Sequence, residues 1–295
     1  MEINLCKWMN GLDGSRPVFE YNIVGTHDSV TQYVQFSYIT KCQNMSIYEQ
    51  LCIGIRMLDI RVKNEGERLK MVHAFAKVFN TPNHFGKQMD MADVLDHCYR
   101  FLKENPSETI LFQFKNDSGS GYEKSFDNLF YTYIKGNTDK WFLENRVPTL
   151  DEARGKIILI RRCPMENRKD FTPLNTGIDF SHWKEQPEII PNPLPLETGG
   201  ENSVKFIILD RYKYKPVPRW NDCIKPFLDK SRPFANEYIL NYLSTAGGFK
   251  GPRRNAKYIN TQFLKYPLKQ ENYYGIICCD FPTEELVQKV IETNL

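Results

Sequence analysis

Two histidines, three basic residues and several carboxylates fall at or beside the ends of short apolar runs. Eight such runs have strand character: Tyr21–His27, Ile55–Val62, Met71–Ala74, Thr109–Lys115, Lys156–Arg162, Val204–Asp210, Glu237–Leu243 and Gly275–Asp280. Their polar endings are His27, Arg61, His73, Lys115, Arg162, Asp210, Ser244 and Asp280. A buried strand has no structural need for a charge at its last inward position. Seven ionisable endings among eight therefore point to a site. Asp59 and Arg61 are two apart in one run and face the same side. If Arg61, Lys115 and Arg162 converge, they suit an anionic or richly hydroxylated group, because a guanidinium fork makes paired, charge-assisted bonds to phosphate. Two histidines beside such a cation can take one proton and give another across a phosphodiester, since imidazole titrates near neutrality. Metal-assisted hydrolysis is the competing chemistry and needs carboxylates and histidines with an open coordination position. The cationic run ends would repel a divalent ion, so neither metal nor cofactor is expected.

Longer stretches of helical spacing separate the runs. They are Ser46–Cys52, Met91–Glu104, Tyr122–Ile134, Pro218–Lys230, Ala256–Leu264 and Thr283–Thr293. Ser46-Ile47-Tyr48-Glu49 fits a capping box, and Asn105-Pro106 closes the helix that begins at Met91. Alternation of this kind implies a parallel sheet, and eight strands imply a closed α/β barrel whose catalytic groups come from strand ends. Two stretches read as loops: residues 163–203, with six prolines, and residues 245–254, rich in glycine. Neither has the character of a linker, so residues 1–295 are expected to form one domain.

Composition removes several classes of function. Of 295 residues, 41% are hydrophobic and 25% charged, which excludes disordered and collagen-like chains. No apolar run approaches the ~18 residues of a membrane span. The 39 basic and 36 acidic residues leave +3, too little for a dense nucleic-acid-binding face. The eight cysteines contain no CxxC pair and are expected to be free thiols filling the core. Met1-Glu2-Ile3-Asn4 lacks a secretory pattern. The expected location is therefore the cell interior, peripheral to a membrane, or outside the cell if a leader has been removed.

Gly25-Thr26-His27-Asp28-Ser29, followed by Gly54-Ile55-Arg56-Met57-Leu58-Asp59-Ile60-Arg61 and Val72-His73, resembles the X domain of phosphatidylinositol-specific phospholipases C. The metal-independent bacterial branch is the better fit. Similarity continues through Asn105–Ile110, Ala153–Ile157, Asp210–Lys213, Gly247-Gly248, Tyr258–Asn260 and Asp280. The resemblance implies a single, distorted TIM-type (β/α) barrel that cleaves phosphatidylinositol to diacylglycerol and inositol 1,2-cyclic phosphate. It implies His27 as general base, steadied by Asp280, and His73, assisted by Asp28, as general acid. Arg61 would stabilise the phosphate charge, where the calcium-dependent branch carries acidic metal ligands. Asp59, Lys115, Arg162, Asp210 and Tyr212 would bind inositol, with Tyr212 stacked on the ring. Free phosphatidylinositol and a glycosylated lipid anchor both remain open as substrates.

Each assignment has a plainer alternative. A lone histidine is more often a satisfied core residue, and Asp28 and Asp280 tip His27 toward function. Arg61 is expected to pair with Asp59 or Asp28 as well as meeting phosphate. Lys115 and Arg162 can instead reach toward water from their strand ends. A substrate in a bilayer also requires a lipid-touching rim. The candidate is the loop carrying Phe249, Lys250, Arg253 and Arg254, with the stretch from Tyr33 to Lys41 as alternative. The rival functions are a metal-dependent glycerophosphodiesterase and a non-catalytic inositol-phosphate or lipid-binding module. No nucleic-acid or obligate protein partner is expected.

Overall fold

Short runs rich in apolar residues set the strands of this chain, which are two to nine residues long. In the computed structural model, residues 3–84, 86–117, 126–165, 175–200 and 202–295 are described. The strands are β1 (Ile23–Thr26), β2 (Met57–Glu65), β3 (Arg68–His73), β4 (Ala76–Lys77), β5 (Ile110–Asn116) and β6 (Trp141–Phe142). They continue with β7 (Ile157–Arg161), β8 (Ile178–Asp179), β9 (Leu194–Glu197), β10 (Lys205–Leu209), β11 (Tyr238–Tyr242) and β12 (Ile276–Cys279). From β1 the sheet runs one way through β2, β5, β7 and β8, and the other way through β12, β11 and β10, all in parallel register. These eight strands are the staves of a TIM-type barrel. Between β8 and β10 the wall is completed by β9, antiparallel to β10, and by a 3.1 Å bond from the Gly199 N–H to the Asp179 carbonyl. This thin seam is where the barrel is distorted.

The helices pack outside the staves: α1 (Ser37–Thr40), α2 (Ile47–Cys52), α3 (Met91–Glu104), α4 (Phe126–Ile134), α5 (Leu150–Ala153), α6 (Pro216–Pro218), α7 (Lys225–Asp229), α8 (Gly251–Lys265) and α9 (Glu284–Ile291). A π-helical segment, Arg219–Ile224, joins α6 to α7. The capping box at Ser46 and Glu49 forms. In α3 the face made of Val94, Leu95, Cys98, Phe101 and Leu102 is buried, as the helical spacing predicts. Barrel strands covered on both faces carry unbroken apolar runs, as in the wholly buried Ile157–Arg161. All eight cysteines are free, six of them buried.

Three expectations are corrected. Met71–Ala74 is not a stave: Arg68–His73 runs antiparallel to β2, pairing Val62 with Met71 and Glu65 with Arg68. The connection turns on Gly66 at φ 68°, and a parallel return would need a crossover of a dozen or more residues. The stretch 163–203 is not all loop, because it supplies β8 and β9. Pro195 is tolerated in β9 because β9 pairs on one side only, with Ile207 opposite the proline. Residues 245–254 are not all loop either: α8 begins at Gly251, with Pro252 in its first turn, so Arg253 and Arg254 are helical. In the expected helix Tyr122–Ile134, residues 122–125 lie outside the described residues.

Candidate active site

The Gly25–Ser29 turn puts two ionisable side chains at the carboxyl end of β1 by fixing everything around them. A Cβ on Gly25 would meet Cys278 Sγ at 2.8 Å and Met57 Cβ at 2.9 Å, so only glycine lets the neighbouring staves close here. Thr26 Oγ1 lies 2.7 Å from Gln50 Oε1, and Ser29 Oγ accepts the Asp59 N–H at 2.8 Å. Between them Asp28 takes a left-handed conformation, φ 44°, which aspartate tolerates better than most residues. The turn thereby holds His27 and Asp28 so that their side chains meet, Nε2 to Oδ2 at 3.1 Å.

Asp28 is fully buried and sits at the centre of the cluster. Its Oδ2 is 3.1 Å from His27 Nε2 and 3.1 Å from His73 Nε2, and its Oδ1 is 2.9 Å from Arg61 Nε. His27 Nδ1 is 2.8 Å from Asp280 Oδ1. Carboxylate oxygens only accept, so His27 between two of them is suited to the doubly protonated form. Burial lowers its basicity, but the charges of Asp28 and Asp280 outweigh burial and raise its pKa to about 9. His73 Nδ1 is 2.6 Å from the Thr40 carbonyl, an acceptor, so Nδ1 carries a proton and Nε2 faces the cluster. Arg61 is clamped a second time by Asp59, Nη2 to Oδ2 at 3.0 Å. Burial would raise the Asp59 pKa, but the Arg61 charge overrides it and holds the carboxyl well below its usual range.

This electrostatics has a consequence for stability. A histidine raised from 6.5 to about 9 contributes stability that is fully present below its unfolded pKa and is lost as pH climbs through its folded one. Denaturant titrations should show wild-type stability falling by about 3 kcal/mol more than that of His27→Ala between roughly pH 6.5 and 9. Parallel curves for the two proteins would contradict the ion cluster.

The cluster borders a cleft of about 460 Å³ at the carboxyl end of the barrel. His27, Arg61, His73, Lys115, Arg162, Asp210, Tyr212 and Asp280 all line it. Asp59, expected at the substrate, is instead fully buried behind Arg61, and Asp28 lies behind the two histidines. Phe249, Lys250, Arg253 and Arg254 do not line the cleft; they are exposed at its edge, beside the lining residues Ala246 and Pro252.

Several residues of the site gain a role only from the fold, and of these Asn260 alone falls in a segment, Tyr258–Asn260, that resembles the family. Gln113 donates to Asp59 Oδ1 at 2.9 Å from inside β5, fixing the carboxylate that clamps Arg61. Asn260 donates to the Asp280 carbonyl at 2.9 Å and Gln43 to that of His27 at 2.7 Å, holding both strand ends in place. Glu185, in the stretch read as loop, bridges Lys115 Nζ at 3.0 Å and Arg162 Nη2 at 3.5 Å. Trp183 supports it, with the Arg162 guanidinium 3.7 Å over its ring. A carboxylate so placed shows only in three dimensions.

Residues 14–163 match the family model for the phosphatidylinositol-specific phospholipase C X domain. The chain belongs to this family. Among its relatives is the 1-phosphatidylinositol phosphodiesterase of Listeria monocytogenes, 26% identical over 98% of this chain and 84% of the relative. The protein of the same description from Staphylococcus aureus strain Newman is 28% identical over 88% of this chain and 82% of the relative. Solved structures agree in fold. The phosphatidylinositol-specific phospholipase C from Listeria monocytogenes superposes with a TM-score of 0.76 at 23% identity, covering 99% of this chain and all (100%) of the other. A Staphylococcus aureus phosphatidylinositol-specific phospholipase C, solved in connection with modulation of its membrane binding, gives 0.80 at 23% identity, covering 99% and 98%. The phospholipase X domain therefore accounts for the motifs around His27, Arg61 and His73, and the barrel extends it to the far end of the chain.

Proposed function

We propose that this phospholipase C cleaves phosphatidylinositol by histidine acid–base catalysis around Asp28, with residues 1–295 acting as one catalytic unit. The observation that carries the reading is the shared carboxylate: both Nε2 atoms lie 3.1 Å from Asp28 Oδ2 while Arg61 holds Oδ1. His27 Nε2 takes the proton of the inositol 2-hydroxyl, whose oxygen attacks the adjacent phosphorus. Arg61 meets the charge that builds on the phosphoryl oxygens, and its two carboxylate partners pre-orient the guanidinium. His73 Nε2 gives its proton to the departing diacylglycerol oxygen. One proton is taken and one given, and the product retains a five-membered 1,2-cyclic phosphate. His27 must enter the step with Nε2 unprotonated, so the imidazolium first loses that proton to water, and the raised pKa makes the base form grow as pH rises toward about 9. Asp280 at Nδ1 keeps the ring oriented in that form. Lys115, Arg162, Asp210 and Tyr212, which line the same cleft, would receive the inositol hydroxyls and ring.

The test is headgroup selectivity in excess chelator. Diacylglycerol should be released from phosphatidylinositol micelles and not from phosphatidylcholine or phosphatidylglycerol, which lack a 2-hydroxyl on an inositol ring. Cleavage of all three lipids at similar rates would overturn the reading.

The same proposal includes a lipid-contacting rim. Phe249 is 100% exposed, and Phe36, Tyr38, Ile39 and Phe75 are also largely exposed. Phe36 and Phe75 pack with ring centroids 5.6 Å apart. Gly251 lets α8 approach α1, since a Cβ there would lie 2.3 Å from the Tyr38 carbonyl oxygen. The two candidate segments thus adjoin, beside cations at Lys250, Arg253 and Arg254. Phe249→Ala should weaken binding to anionic vesicles roughly tenfold, from the loss of one inserted aromatic. Neutralising the three cations should weaken it by up to ~10²-fold at low salt. Cleavage of a soluble short-chain substrate should change little. Equal losses on soluble and vesicle substrates would assign the rim to shaping the site.

A further inference from the structure

Cys42 is the one cysteine that lines the catalytic cleft among the described residues. Its thiol is not alone there. One ligand atom from each of His27, Asp28 and Cys42 lies within 4.8 Å of the other two. The backbone that carries the thiol is held on both sides: the Cys42 N–H donates to Thr31 Oγ1 at 3.0 Å, and the Cys42 carbonyl accepts the Phe281 N–H at 2.9 Å.

We infer that His27, Asp28 and Cys42 form a binding site for a thiophilic divalent cation such as Zn²⁺, and that occupancy inhibits the enzyme. An imidazole nitrogen, a carboxylate oxygen and a thiolate are a zinc donor set, and three protein ligands with one open position are its usual incomplete shell. Oδ1 of Asp28 is taken by Arg61, so the ligand oxygen is Oδ2, where the metal replaces the contacts that His27 and His73 Nε2 make with it at 3.1 Å. The open position faces the cleft that His27 and Cys42 line. The strand-end cations suggest a cleft that repels divalent ions, but each of them is already paired with a carboxylate. Lys115 is paired with Glu185 and Asp117, and Arg162 with Glu185. Around His27 the structure collects Asp28, Asp59 and Asp280 against the single guanidinium of Arg61. Binding requires the metal to displace the Cys42 thiol proton and any proton on His27 Nε2, both of which pass to water. Occupancy removes the general base and ties up the carboxylate that serves the acid, so inhibition should be complete and reversible by chelation. The inhibitory consequence rests on the proposed roles of His27 and His73; the site itself does not.

The test uses Zn²⁺ and Co²⁺ salts on the whole protein, first stripped with chelator and desalted. Zn²⁺ should abolish phosphatidylinositol cleavage, and excess chelator should restore it. Cys42→Ser should keep the chelator-treated rate and need at least ~10-fold more Zn²⁺ for half inhibition, since loss of a direct ligand costs no less than loss of an outer-shell partner. Co²⁺ should give wild type a sulfur-to-metal charge-transfer band that is absent from Cys42→Ser and from Cys42→Ala. Equal Zn²⁺ sensitivity in wild type and both variants, or a wild-type cobalt spectrum without the sulfur band, would overturn the site. A stripped protein that cleaves no phosphatidylinositol would instead refute the catalytic reading, while the cobalt band would still decide the metal site.

Discussion

Replacing either His27 or His73 by alanine lowers turnover on phosphatidylinositol by at least ~10²-fold, the contribution expected of a positioned acid or base. The two variants should be equivalent in severity, because the reaction moves one proton through each ring in the same step. Both side chains are only partly exposed, at 18% and 17%, yet neither is a packing element of the core, so the barrel should stay folded. Far-ultraviolet circular dichroism and a cooperative melt check this. The wild-type rate should depend on pH as a bell, and each single variant should lose one limb of it. A variant that retains near wild-type turnover would remove that histidine from the mechanism.

Arg61→Ala should lower turnover by about 10²–10³-fold, the effect of deleting a preorganised donor to transition-state charge. It should also destabilise the fold by roughly 3–5 kcal/mol, because Asp28 and Asp59, both fully buried, lose their cation. The two losses are separable. Arg61→Lys keeps a charge near the carboxylates and should recover much of the stability, but it lacks the planar fork and should recover little of the rate. Arg61→Asp should abolish chelator-resistant activity altogether by placing three carboxylates together. Normal turnover of Arg61→Ala in chelator would show that the guanidinium is structural.

Much of the barrel is legible in the chain because its staves are buried on both faces. Seven of the expected runs coincide with parallel strands to within a few residues, as Lys156–Arg162 does with Ile157–Arg161. The eighth, around His73, is a strand of the wrong kind. Its alternation resembles that of a stave, and only the short connection through Gly66 fixes it as antiparallel. Ile178–Asp179 is illegible for the opposite reason: two residues have no periodicity, and the neighbour β7 makes them a strand. Within the site, the ionisable strand ends are visible because a charge at a buried strand terminus is conspicuous. His27, Arg61, His73 and Asp280 do meet, 253 positions separating the first from the last. Glu185, Gln113 and Cys42 stay hidden, since a lone carboxylate in a proline-rich stretch, an amide inside a strand and one thiol among eight look ordinary until the fold aims them. Phe75 becomes an exposed rim residue only because Ala74 turns the chain at φ 51°.

The central claim is intramolecular attack by the inositol 2-hydroxyl, driven by His27 and His73 around Asp28. Phosphorus NMR of phosphatidylinositol vesicles with enzyme and excess chelator follows the reacting phosphorus directly. The account predicts early accumulation of the strained five-membered inositol 1,2-cyclic phosphate, well resolved from the diester, with no need for added metal. Direct appearance of inositol 1-phosphate with no cyclic resonance, or a reaction that starts only when a divalent ion is supplied, would contradict it.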